Sequence, residues 1–159
     1  MVMDAARGTY DGKSRTLTLT ETDPATVVFT DRPDRDAGRY STKWVLQSWE
    51  DDLFPGDPPN ATVVVSNAPD QQDAMVVTLG SPSYTKDATV TFPVTPVDGQ
   101  VLGGQGRKAD AELPATFDDV AVFIDSSNQL CYNLAQCPDG QQVGATWGEK
   151  KRPHKRKSP

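Results

Sequence analysis

The sequence predicts an all-β fold, a mainly antiparallel β-sandwich or open barrel, with one short helix near residues 42–50. Three observations carry this prediction. Apolar residues recur with period two in short segments, the signature of half-buried strands. Thirteen prolines and twelve glycines punctuate the chain, as many short strands joined by turns require. Helical spacing of apolar residues shows in one segment alone, Trp44, Val45, Leu46 and Trp49.

Each element follows from its residues. Residues 15–20, Arg-Thr-Leu-Thr-Leu-Thr, alternate strictly and turn Leu17 and Leu19 inward. After the turn-forming Asp23-Pro24, residues 26–30 form a second strand around Val27, Val28 and Phe29. Ser41 is a candidate N-cap for the helix, which covers one end of the sheet. Residues 50–60 carry three prolines and form an irregular connection. Further strands lie at 61–66 (Val63 to Val65), 73–79 (Met75 to Leu79), 88–97 (Val90, Phe92, Val94) and 119–125. β-branched and aromatic residues dominate all six strands, as a pleated, half-buried surface prefers. A Gly-rich connection spans 98–116. Trp44 and Phe92 are expected core residues, and alanine at either should cost several kcal/mol.

The 159 residues suit one domain. It occupies 1–125, followed by a cysteine-containing extension at 126–148 and a basic tail at 149–159 that is expected to be disordered when free. Charge divides along the same line. Residues 1–149 hold all 22 acidic residues and 10 of the 16 basic ones, a net −12. The tail holds Lys150, Lys151, Arg152, Lys155, Arg156 and Lys157. An acidic body disfavours nucleic acid on the domain, because phosphates need a basic face, and leaves it open only for the tail. No apolar run is long enough for a membrane-spanning helix. Residues 1–8 lack an apolar segment, so no signal peptide is expected in the numbered chain.

Three short motifs occur in a familiar order. They are Phe29-Thr30-Asp31-Arg32-Pro33, Asp57-Pro58-Pro59-Asn60-Ala61 before a Val-rich strand, and Phe123-Ile124-Asp125. With the leading Leu-Thr-Leu strand and the Trp-containing helix, they resemble an uncharacterised family of small, exported bacterial β-rich proteins. The resemblance covers residues 15–125. It implies a β-rich domain in an extracellular or periplasmic location and brings no activity with it. The chain departs from the family pattern after Asp125.

The candidate chemistry is sparse. Cys131 and Cys137 enclose Tyr-Asn-Leu-Ala-Gln and can close a small disulfide loop in an exported protein. Such a loop contributes ~2–3 kcal/mol and pins only its own neighbourhood. Asp51, Asp52 and Asp57 are weak candidates for a cation site through oxygen ligands, although their spacing is not that of an EF-hand. The run Asp31–Asp36 mixes carboxylates with Arg32 and Arg35 and reads as an ion-pair network. Asn60-Ala61-Thr62 is a glycosylation sequon. The Gly103–Lys108 stretch lacks the Gly-Lys-Ser/Thr ending of a phosphate loop. The single His154 lies in the tail, so a Ser-His-Asp or Cys-His arrangement has no base within the domain.

No cofactor and no catalytic residue are predicted. The leading expectation is a non-catalytic, exported β-domain for protein interaction or self-assembly, with the basic tail as a partner-binding element. One alternative is a glycan hydrolase using two carboxylates in a cleft lined by Trp44, Trp49 or Trp147. The other is an intracellular protein whose tail directs it to the nucleus or to nucleic acid.

Overall fold

Alternating side chains give each strand one apolar face, and a sheet with one apolar face must bury it. This chain does so by curling the sheet onto itself. The computed structural model describes residues 1–29, 37–66, 68, 72–97, 101–102, 107–108 and 113–125. Eleven strands occur among them: β1 (Val2–Asp11), β2 (Thr16–Thr22), β3 (Ala25–Phe29), β4 (Ala37–Ser41), β5 (Asn60–Ser66), β6 (Ala74–Leu79), β7 (Ser83–Tyr84), β8 (Val90–Pro96), β9 (Val101–Leu102), β10 (Arg107–Lys108) and β11 (Thr116–Ile124). β9 and β10 pair with each other inside the Gly-rich connection.

Six strands run in the order β11-β5-β6-β8-β2-β1, and β1 pairs back onto β11 to close an antiparallel barrel. The expected all-β, mainly antiparallel class is therefore what forms. The barrel is closed, where a sandwich or an open barrel was expected. Closure depends on β1, a strand whose sequence carries no strict alternation.

The physical reason lies in a line of irregularities across three neighbouring strands. The inward face of β1 switches from Met3 and Ala5 to Gly8 and Tyr10, leaving Ala6 and Arg7 both exposed. β11 switches at the same level, between Phe117 and Val120, with Asp118 and Asp119 both exposed. β2 switches between Leu19 and Thr22. Glu21 and Asp119 adopt positive φ there, 55° and 48°, and the β11–β5 register shifts at Asp118/Val120. Bulges bend strands and sharpen their twist, which lets a six-stranded sheet turn tightly enough to meet itself. Gly8 lies directly opposite Phe117, whose ring covers it.

Side chains fill the interior. Met3, Leu17, Leu19, Val63, Met75, Val77, Leu79, Val90, Phe92 and Val122 are all fully buried. Burying each such side chain stabilises by ~1.5–3 kcal/mol.

β2 and β3 lie end to end along one edge of β1. Ala5 pairs with Thr22 and Val2 with Val27, so two extra residues enter between them at Asp23-Pro24. This bend carries the β3–β4 hairpin off the barrel. Asp23 steadies the bend by accepting from the Ala25 amide, and the Thr42 hydroxyl donates to the Asp23 carbonyl at 2.7 Å.

The helical segment divides in two. An α-helix, α1 (Thr42–Gln47), starts at Ser41, whose hydroxyl accepts from the Trp44 amide. A π-type turn, Trp49–Leu53, follows, held by bonds from the Leu53 amide to Ser48 and from the Phe54 amide to Trp49. The wider turn carries Trp49 into the core against Phe54 and Phe92, with ring centroids 4.6 and 5.4 Å away. Phe92 is a core residue as expected. Trp44 is only half-buried, against Tyr40, so the indole that fills the core is Trp49.

Candidate functional site

The residues singled out from the sequence do not converge. Asp51 and Asp52 are exposed on the π-type turn, and Asp57 is exposed in the loop beyond it. Among the described residues, no three or more His, Cys, Asp or Glu side chains gather to hold a metal. Asn60 begins β5 with its side chain exposed. Its Oδ1 accepts from the Thr78 hydroxyl at 3.0 Å, and its carbonyl accepts from the Asp125 amide at 2.9 Å. Cys131, Cys137, Trp147, the run 31–36 and the basic tail from Lys150 to Lys157 lie outside the described residues. Trp49, one of the indoles offered for a glycan-binding cleft, is 3% exposed and packs against Phe54 and Phe92. No helix among the described residues is long and apolar enough to cross a membrane.

Two surface features stand out instead. The first is an apolar seam on the outside of the barrel, where β3, β1 and β11 meet. Val2 pairs with Phe123 on one side and with Val27 on the other, so the three share one face of the sheet. Phe29 follows Val27 by two residues and lies on that face too. Phe29 is 54% exposed and Phe123 46% exposed, while Val2 and Val27 are half-buried. Single exposed apolar residues are ordinary, but a contiguous row with two phenylalanines is a marker of an interaction surface.

The second feature is a groove of about 470 Å³ between α1 and the β7 segment. Lys43, Leu46 and Gln47 line it from α1, and Tyr84, Thr85 and Lys86 from β7 and the turn after it. No carboxylate lines it. Glu50 accepts from the Ser81 hydroxyl and Asp87 from the Thr85 hydroxyl, so both nearby acids already hold hydroxyl donors. Thr85 thereby keeps the Asp87 carboxyl below the ordinary carboxylate range. The groove is thus a mixed opening, with Lys43 and Lys86 on its lining, Leu46, Pro82 and Tyr84 between them, and the Glu50 and Asp87 carboxylates at its rim.

Neither feature is legible in the sequence. Lys43 and Lys86 each look like isolated surface charges, and only the fold brings them to one groove. Val27-Val28-Phe29 and Val122-Phe123-Ile124 are continuous apolar runs, in which period two cannot say which residue faces out. No protein-family model, no curated protein and no solved structure matches the chain.

Proposed function

We propose that the chain is a non-catalytic, exported β-barrel domain that works by binding protein, and that its partner at the seam is a second copy of itself. The observation that carries this reading is the outer seam of Val2, Val27, Phe29 and Phe123, with its two exposed aromatic rings. Aromatic side chains are enriched at protein interfaces and supply most of their binding energy at the centre of the patch. Charge favours a like partner. The acidic body of one copy attracts the basic residues 150–157 of another, and such attraction raises association rates and sets orientation. The exported location rests on the family resemblance of residues 15–125 and on the spacing of Cys131 and Cys137.

Sedimentation velocity of the full chain over a wide concentration range tests the reading. The wild type should pass from monomer to dimer as concentration rises. Phe29→Ser together with Phe123→Ser should weaken association about a hundredfold, since each anchor is worth roughly a factor of ten. A wild type that stays monomeric throughout, or a double variant that associates as well as the wild type, would overturn it.

A further inference from the structure

Asp4 lies on the same outer face as the seam. It follows Val2 by two residues on β1 and sits opposite Ala121 of β11, so it borders the row Val27–Val2–Phe123 directly. The cations around it are already held. Arg39 of β4 pairs with Asp23 at 3.6 Å, Arg7 of β1 pairs with Glu21 at 3.4 Å, and the Met1 ammonium donates to the Ile124 carbonyl at 2.7 Å. The other charged groups nearby are acids. They are Asp23 at the bend, whose amide donates to the Asp4 carbonyl at 2.8 Å, and Asp119 and Asp125 on the β11 side. Among the described residues the Asp4 carboxyl has neither a hydrogen bond nor an ion pair. Partial burial, with Asp23 beside it, already holds this carboxyl above the ordinary range.

A copy docked on the seam must cover Asp4. A stable interface takes ~800 Å² from each partner, a patch roughly 16 Å in radius. Asp4 is only ~7 Å from Val2 along the strand. A two-fold contact covers the Asp4 of both copies at once. An ionised carboxylate taken out of water without a partner is costly, and such a group holds a proton instead. We infer that self-association at the seam takes up protons at Asp4, so that the contact between copies tightens in mild acid and loosens towards neutral pH. The switch presupposes that the seam is where two copies meet. The docked state binds more protons than the separate copies, so the association constant rises as pH falls through the raised range of Asp4.

Sedimentation velocity of the full chain between pH 5 and pH 8, at constant ionic strength, tests this for the wild type, Asp4→Asn and Asp11→Asn. Asp11 lies seven residues along β1, ~23 Å away, well beyond the ~8 Å screening length at 0.15 M salt, and its loss removes the same charge. His154 titrates in all three proteins, so the readout is the difference between them. Asp4→Asn should dimerise about tenfold more tightly than the wild type at pH 8, and the gain should shrink towards pH 5. Asp11→Asn should follow the wild type throughout. A gain that is the same at every pH, no gain, weaker association in Asp4→Asn, or an equal gain in Asp11→Asn would overturn the inference and leave the seam in place. Monomers alone, in all three proteins at every pH, would overturn the seam and the switch with it.

Discussion

Gly8→Ala probes the packing where the barrel closes. A Cβ built on Gly8 falls 2.3 Å from Phe117 Cε2 and 3.0 and 3.1 Å from the neighbouring ring atoms Cζ and Cδ2. Non-bonded carbons sit about 3.5–4.0 Å apart, so the ring must move by more than about 1 Å. Phe117 is only 7% exposed and belongs to the core cluster, which limits where the ring can go. Forcing a methyl into a packed core costs about 1–3 kcal/mol. Alanine recovers about 0.5–1 kcal/mol by restricting the unfolded chain. The 2.3 Å approach puts the cost at the upper end of that range, so the expected net loss is about 2 kcal/mol. Equilibrium unfolding in urea measures it for the wild type, Gly8→Ala, Phe117→Leu and the double variant. If the clash is the cause, Phe117→Leu makes room and Gly8→Ala becomes nearly neutral in that background. A Gly8→Ala protein as stable as the wild type, or one whose loss is unchanged by Phe117→Leu, would refute the reasoning.

Other outcomes follow from burial and hydrogen bonding. Trp49→Ala should cost about 3–5 kcal/mol, whereas Trp44→Ala, at a half-buried position, should cost about 1–2 kcal/mol; equal losses in chemical denaturation would contradict the division of roles between Trp44 and Trp49. The Thr22 hydroxyl is buried without a hydrogen-bond partner among the described residues, so Thr22→Val should stabilise by about 1 kcal/mol, and a loss of stability would show that the hydroxyl is satisfied. Burial, with Asp23 adding to it, raises the Asp4 carboxyl above the ordinary carboxylate range. The folded state then holds this proton more tightly than the unfolded state, so stability falls as pH rises from the ordinary value through the raised one. Asp4→Asn should accordingly be more stable than the wild type at pH 7, with the gap closing in acid below the ordinary carboxylate value; a gap that does not change with pH would contradict this origin.

Strict alternation made much of the sheet legible. All six strands expected from the sequence are strands in the structure, and Leu17, Leu19 and Phe92, from the alternating ones, face the core. β1 has no clear signature because Ala5, Ala6 and Gly8 have weak strand preference and because its inward phase changes between Ala5 and Gly8. β4, Ala-Gly-Arg-Tyr-Ser, is short and equally plain. Closure itself has no local signature, since it joins Val2 to Phe123 from opposite ends of the domain. The exchange of Trp44 for Trp49 in the core turns on the change from α to π geometry after Ser48, which helical spacing alone does not register. The groove and the seam were hidden for the same reason as closure. Each joins segments far apart in the chain, and charge or apolarity at one position does not say what the fold sets beside it.

The pairing of β1 with β11 builds both the closed core and the outer seam, so it is the feature to measure. Amide hydrogen exchange followed by NMR on the full chain tests it most directly. In a closed barrel, amides of β1 and β11 that bond across the ladder, such as those around Met3 and Val122, exchange only through global unfolding, together with β5 and β6. Exchange of the β1 amides orders of magnitude faster than those of β5 and β6 would mean a strand that frays from an open edge, and would contradict closure.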